Sequence, residues 1–354
     1  MKILYGVPGE GMGHATRSKE VIDFLIKKGF DVQIVSSHKA FTFLKNHFTE
    51  RVHEIKGLHF GFKDGKVSKW ETFNLNLKKG PKNFLFNFSE FLKTEKNFDP
   101  DLVISDFESF SWAFAKLHRL PLISIDNMQV MDRCKLEIKI PAAEKNNFLL
   151  ARNIVRAKVP GAEKYLVTSF FDAKVLKKNT EIVPPIIRKA IQSAKTTVGK
   201  HILVYQSAGS AGQLKKVFLN FPDVHFIAYG TNKDELISNI HFKLFSEDGF
   251  VSDFASCAAV IANGGFSFLS EAVYLKKPVY SFPLNGQFEQ YMNAAYIEKC
   301  GYGKNYSELT KNDLSVFLSG LETFRKNFSA YKQKGNEILF DRLATFLNEC
   351  NKSK

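Results

Sequence analysis

The strongest constraint on how this chain folds lies in residues 3–18, ILYGVPGEGMGHATRS. Ile3-Leu4-Tyr5 is a short apolar run suited to a buried strand. Gly6, Gly9, Gly11 and Gly13 crowd the loop after it, and His14 closes the loop. Val21, Phe24 and Leu25 then recur at helical spacing, with Gly29 as a C-cap. A second strand is expected at Val32–Val35. A strand, a glycine loop, a helix and a strand open a βαβ crossover, which points to a parallel sheet covered by helices. The dinucleotide fingerprint fits this loop badly. Counted from Gly9, the third glycine position holds His14, and the second strand runs into Ser36-Ser37-His38 without an acidic residue.

The alternation continues. Phe41–Phe48 and Phe84–Leu92 read as helices, and residues 57–83 as mixed strand and loop near a binding face. DPDLVISDFESF gives a turn at Asp99-Pro100, a buried strand at Leu102–Ser105, and Asp106 at its C-terminal end. A helix at Trp112–Leu117 and the strand LPLISID follow. Ligands in open parallel sheets bind at the C-terminal ends of strands, where Gly9–His14 and Asp106 both fall. Residues 141–158 form an amphipathic helix carrying Arg152, Arg156 and Lys158 beside an apolar stripe. It is either a core-packing helix with a basic outer face or a membrane-surface patch.

At 178–200 the period is lost around Pro184-Pro185, and a second series begins. It comprises the strand HILVYQ, the small-residue loop SAGSAGQ, a helix at Leu214–Phe218, and a strand at Val224–Tyr229. SCAAVIANGG is a strand with a glycine loop, followed by a helix at Phe266–Leu275, a strand at Pro278–Phe282, and a helix at Gln290–Lys299 ended by Gly301. The expected division is 1–178, a linker at 179–199, a second domain at 200–330, and a final helix within 331–354.

Length and composition are those of two globular domains: 354 residues, 44% hydrophobic and 24% charged. Cys134, Cys257, Cys300 and Cys350 are scattered without a C-x-x-C, which argues against zinc and for a reducing compartment. No apolar run of about 18 residues is present and no signal-peptide pattern precedes the first strand, so a cytoplasmic protein is expected. The net charge of +14 fits an anionic partner or a lysine-rich solvated surface. No RNA-binding signature or zinc finger accompanies it, and no nucleic-acid partner is expected.

The stretch from Val260 to Gly303, VIANGGFSFLSEAVYLKKPVYSFPLNGQFEQYMNAAYIEKCGYG, is the most specific. With the histidine loop, DPDLVISDFE and the Pro-Pro before the second domain, it resembles the GT-B glycosyltransferases over most of the chain. The match is with the bacterial and archaeal group labelled teichoic-acid-related. The peptidoglycan N-acetylglucosaminyltransferase and the UDP-glucuronosyltransferase-like enzymes are more distant. The resemblance implies an α/β GT-B fold, with two Rossmann-like doubly wound domains facing a cleft. The first would bind the acceptor and the second the nucleotide-sugar, with the final helix crossing back to the first domain.

The residues agree with that expectation. Gly264-Gly265 before a helix at Phe266-Ser267 would hold a diphosphate on free N–H groups and the positive helix end. Ser207, Gly209 and Ser210 would face it. By resemblance, Glu271 takes the ribose hydroxyls, Glu289 and Gln290 take the donor sugar, and the Phe250-Val251 backbone reads the base. Where many relatives have His-Gly-Gly, this chain has Asn263-Gly264-Gly265, and an amide cannot titrate. Asn293 is expected to pack or cap rather than touch donor.

Gly13 would let donor and acceptor approach the first loop, and His14 stands at a helix start whose dipole favours the neutral imidazole. It could take the acceptor's hydroxyl proton, and in the family an aspartate matching Asp106 orients it. The alternatives are a capping role for His14 and for Asp106, as Asp-x-x-Ser. No cofactor and no metal are expected, and Asp99-x-Asp101 opens a strand rather than a manganese site.

The expected reaction is inverting transfer from a nucleotide-sugar, UDP-linked by resemblance, to a hydroxyl of a glycan or lipid-linked acceptor in cell-envelope polysaccharide synthesis. The charge allows a peripheral site on the inner face of the plasma membrane, against an anionic lipid surface. The rival readings are a GT-B UDP-sugar 2-epimerase or hydrolase, using Glu108, Glu271 and Glu289, and a non-catalytic basic binding protein.

Overall fold

The computed structural model describes residues 1–9, 11–56, 62–63, 66–67, 89, 98–206 and 211–352. The expected helix at Phe84–Leu92, nearly all of 57–83, and Ser207, Gly209 and Ser210 lie outside them. The chain forms two compact units. Met1–Leu136, Phe148–Ile186 and Asn336–Lys354 make the first, and Glu137–Asn147 with Ile187–Gly335 make the second.

The first unit is built on seven parallel strands. They are β1 (Lys2–Gly6), β2 (Asp31–Ser36), β3 (Val52–Glu54), β4 (Leu102–Ser105), β5 (Leu122–Asp126), β6 (Lys164–Thr168) and β7 (Thr180–Val183). Their spatial order is β7-β6-β5-β4-β1-β2-β3. The order reverses between β1 and β4, which pair from Ile3–Leu102 to Gly6–Ser105. That reversal is the switch point at which open sheets form a crevice. The helices that matter here are α1 (Met12–Lys27), α2 (His38–Phe48), α3 (Ser109–His118) and α4 (Lys145–Lys158).

The second unit repeats the plan with β8 (His201–Tyr205), β9 (His225–Tyr229), β10 (Glu235–Ile237), β11 (Ile240–Phe242), β12 (Ala259–Ala262), β13 (Val279–Ser281) and β14 (Gly303–Asn305). The order is β10-β11-β9-β8-β12-β13-β14. Only β10 runs antiparallel, and the switch point lies between β8 and β12. Among its helices are α5 (Ala211–Phe218), α6 (Glu247–Ser256), α7 (Phe266–Tyr274), α8 (Phe288–Lys299) and α9 (Lys311–Ser319).

The last helix, α10 (Glu337–Lys352), belongs to the first unit. Leu339, Leu343 and Leu347, spaced by four, enter the core beside Val21 and Leu25 of α1. Phe340 stacks on Phe24 with ring centroids 4.3 Å apart.

Two expectations are corrected. The span 179–199 is no free linker: Thr180–Val183 is strand β7, and the units divide between Ile186 and Ile187. Edge strands are half exposed, so Thr180-Glu181-Ile182 reads as polar loop until β6 supplies its hydrogen bonds. The basic helix also starts later, at Lys145, because Pro141 sets up a 3-10 turn at Ala142–Glu144. No helix among the described residues is long and apolar enough to cross a membrane.

Candidate functional site

In the first unit the loop after β1 and the loop after β4 meet at the switch point. The Asp106 N–H donates to Gly6 O at 2.9 Å, continuing the β1–β4 ladder by one bond. That pins the Asp106 carboxylate beneath the first turn of α1. Gly9 in the first loop is buried, and a Cβ there would lie 2.1 Å from Ser37 Oγ, so only glycine lets the loop pass.

Around Asp106, which is 1% exposed, the first turns of α1 deliver three side chains on one face. His14 Nδ1 stands 3.0 Å from Asp106 Oδ1. Arg17 donates from Nε to Oδ2 at 2.9 Å and from Nη2 to Oδ1, a bidentate clamp. Ser18 Oγ donates to Oδ2 at 2.8 Å. Arg17 Nη1 is held by Asn127 Oδ1 at 2.6 Å. Burial pushes the Asp106 carboxyl up, but Arg17 and then His14 outweigh it and hold the group well below the usual carboxylate range. His14 keeps about a fifth of its side chain exposed, so it is the member of this network that meets the outside.

Arg17 Nη2 also lies 2.8 Å from His14 Nδ1. A guanidinium only donates, so Nδ1 either accepts from Arg17 or carries a proton toward Asp106. The second tautomer leaves the Nε2 lone pair for an outside proton.

Sequence reasoning brought His14 and Asp106 together but missed Arg17 and Asn127. The available signal was spacing: Arg17 and Ser18 lie three and four residues after His14, the same helical face. The capping alternative for Asp106 is corrected. Glu108 is the N-cap of α3, accepting from Phe110 N at 2.8 Å and Ser111 N at 2.6 Å. Asp101 Oδ2 takes Lys2 N at 2.7 Å, at the far end of the strands from Asp106.

In the second unit, Asn263-Gly264-Gly265 turns from β12 into α7. Gly264 has φ +100°, and a Cβ there would lie 2.7 Å from Gln290 O. Asn293, fully buried on α8, donates to Gly264 O at 3.1 Å and braces the turn. Gly265 is exposed, and space opens before its Cα. Phe266 and Ser267 begin α7, whose N-terminus carries the positive end of its dipole. Asn263 Oδ1, Ser281 Oγ and Asn293 Oδ1 are buried and accept from no described residue. They gather polar capacity at the C-terminal ends of β12 and β13.

Glu271 is 4% exposed in α7, and both its oxygens are taken: Arg188 donates from Nε to Oε1 and from Nη2 to Oε2, each at 2.7 Å. The carboxylate expected to take the ribose hydroxyls is thus already engaged by a bidentate guanidinium, and each oxygen keeps one further lone pair. Gln290 accepts from Leu284 N at 3.0 Å and donates to Gln287 Oε1 at 2.8 Å, shaping the turn before α8. Glu289 is half-buried in the first turn of that helix.

The Phe250-Val251 expectation is corrected. Both lie inside α6, the Phe250 N–H is spent on Ser246 O at 2.9 Å, and the ring is core against Tyr205, Tyr229 and Phe254. No group of three or more His, Cys, Asp or Glu side chains among the described residues is placed to hold a metal ion.

Comparison with known proteins adds to this geometry. The family model described as Glycosyl transferase family 1 matches residues 1–322. An uncharacterized glycosyltransferase of Methanosarcina mazei is 25% identical over 378 residues, covering 98% of this chain and 95% of the relative. Among solved structures, Phytolacca americana UGT2 complexed with UDP-2fluoro-glucose and pterostilbene is similar with TM-score 0.69 at 13% identity, covering 99% of this chain and 98% of that one. The spinosyn rhamnosyltransferase SpnG complexed with thymidine diphosphate is similar with TM-score 0.60 at 14% identity, covering 93% and 94%.

Proposed function

The chain belongs to glycosyl transferase family 1 and is a transferase of the GT-B fold, and from that premise we propose that it moves a sugar from a nucleotide-sugar to an acceptor hydroxyl with inversion. The observation that carries this reading is the contact of His14 Nδ1 with Asp106 Oδ1, 3.0 Å, at the switch point of the first sheet. With Nδ1 protonated toward Asp106, Nε2 takes the acceptor's hydroxyl proton. The acceptor oxygen forms its bond to the anomeric carbon from one face. The bond to the diphosphate oxygen breaks on the other, and the electron pair leaves with the diphosphate. One displacement inverts the centre. Arg17 keeps Asp106 ionised, so the imidazolium forms beside a carboxylate.

The leaving diphosphate is assigned to the turn at Gly264-Gly265 and the first residues of α7, where helix N–H groups and the dipole oppose its charge. No metal or cofactor is needed for that role. Glu289 and the Gln290 turn are proposed for the donor sugar, and the Arg188–Glu271 pair for the ribose. A nucleoside diphosphate is supported by the two similar enzymes solved with UDP-2fluoro-glucose and thymidine diphosphate. UDP as the nucleotide, a glycan or lipid-linked acceptor and an envelope role complete the proposal.

The test is a thermal-shift titration with UDP, thymidine diphosphate, GDP and ADP, followed by transfer assays on His14→Ala. A nucleotide should raise the unfolding temperature equally in both proteins, while the variant loses about a hundredfold or more in turnover. No shift with any nucleotide would remove the donor reading. Unchanged turnover in the variant would remove the base.

A further inference from the structure

In the first unit an unusual surface surrounds Asp132, whose side chain is 4% exposed. Arg156 of α4 donates to its Oδ1 and Lys177 to its Oδ2, each at 2.5 Å, and Arg152 Nε stands 3.7 Å from Oδ1. One buried carboxylate thus ties α4 to the segment after a two-stranded ribbon, Cys134–Lys135 with Lys174–Val175. That segment, Lys174 to Asn179, is exposed throughout.

Large apolar side chains stand out on both tied elements. Leu149, Leu150 and Ile154 of α4 are 53%, 39% and 48% exposed, and Val175 and Leu176 are 38% and 61% exposed. Val155 alone on this helix is fully buried, so the helix is anchored by one side and presents the other. Arg152, Arg156, Lys174, Lys177 and Lys178 are interleaved with these residues, against buried Asp132 and exposed Asp172. Asp132 follows β5, so the patch lies toward the strand ends that carry Asp106.

Apolar tips rimmed by cations fit one partner better than any other. A protein partner would not require so many lysines, and a soluble polyanion would not use leucines. An interfacial bilayer uses both, since apolar tips enter the acyl boundary and cations meet anionic headgroups. We propose that this face, centred on Asp132, docks the enzyme on an anionic lipid surface. The docking needs neither donor nor acceptor, so it stands apart from the transfer reaction.

The test is flotation of the full chain with phosphatidylcholine vesicles, with and without phosphatidylglycerol, at low and high salt. Leu150→Ser/Ile154→Ser/Leu176→Ser removes only exposed groups, and Lys174→Ser/Lys178→Ser removes cations that Asp132 does not hold. The protein should float with the anionic vesicles only, and salt should release it. The cation variant should bind about tenfold or more weaker, and the apolar variant should lose a similar factor. No binding to anionic vesicles at low salt would overturn the proposal. So would binding untouched by the apolar variant, since that behaviour belongs to a polyanion surface, with heparin as the control. Circular dichroism on both variants separates lost docking from lost folding, and nucleotide thermal shifts report the donor site independently.

Discussion

At the scale of single residues, the centre of the first unit is an ionised carboxylate held in the dark by an arginine. Asp106 is raised by burial and lowered further by Arg17 and His14, so its folded pKa lies well below its unfolded value. A depressed carboxylate stabilises the fold fully above the unfolded pKa of about 3.9 and loses that contribution as pH falls through the folded pKa. Asp106→Asn should therefore cost stability at neutral pH, and its deficit against wild type should shrink as the pH drops below about 4. Urea unfolding at a series of pH values checks this. A deficit constant with pH would mean that the carboxylate's charge does not matter. His14 and Asp106 were legible because each ends a recognisable motif. Arg17 was not, because an arginine near the start of a helix reads as solvated until a carboxylate from a distant strand arrives beside it.

At the scale of elements, α7 carries two devices of different visibility. The glycine turn before it is plain in the sequence, and the structure supplies its reason in the +100° φ of Gly264 and the closeness of Gln290 O. The pairing of Glu271 with Arg188 is not plain, since Arg188 sits 83 residues earlier, in a segment that reads as linker. Breaking a buried pair leaves a charge without its partner, at about 3 kcal/mol. Glu271→Ala should destabilise the second unit by roughly that amount. Arg188→Met/Glu271→Met should recover much of it. If the double variant is no more stable than the single one, the pair is not what the unit depends on.

At the scale of the whole molecule, the chain leaves the first unit twice, for Glu137–Asn147 and for Ile187–Gly335, and returns to it for good at Asn336. Its last helix closes a core that began with β1 and α1. Leu343 is fully buried there, and Leu343→Ala should cost about 2–5 kcal/mol. Calorimetry should place that loss in the transition of the first unit. A donor nucleotide should raise the transition of the second. If both perturbations move one common transition, the units unfold as one.

The sequence by itself determined the parallel architecture, the doubling of the fold, the glycine turns, and the strand ends where His14, Asp106 and Gly264 would stand. These follow from local pattern: buried strands are apolar runs, helices repeat every three to four residues, and sharp turns need glycine. Only the tertiary structure decided which charges meet. Arg17 on Asp106, Arg188 on Glu271, and Arg156 and Lys177 on Asp132 join positions far apart in the chain. An ion pair has no periodicity to announce it, and a charged side chain shows its partner only when packing has removed the water between them.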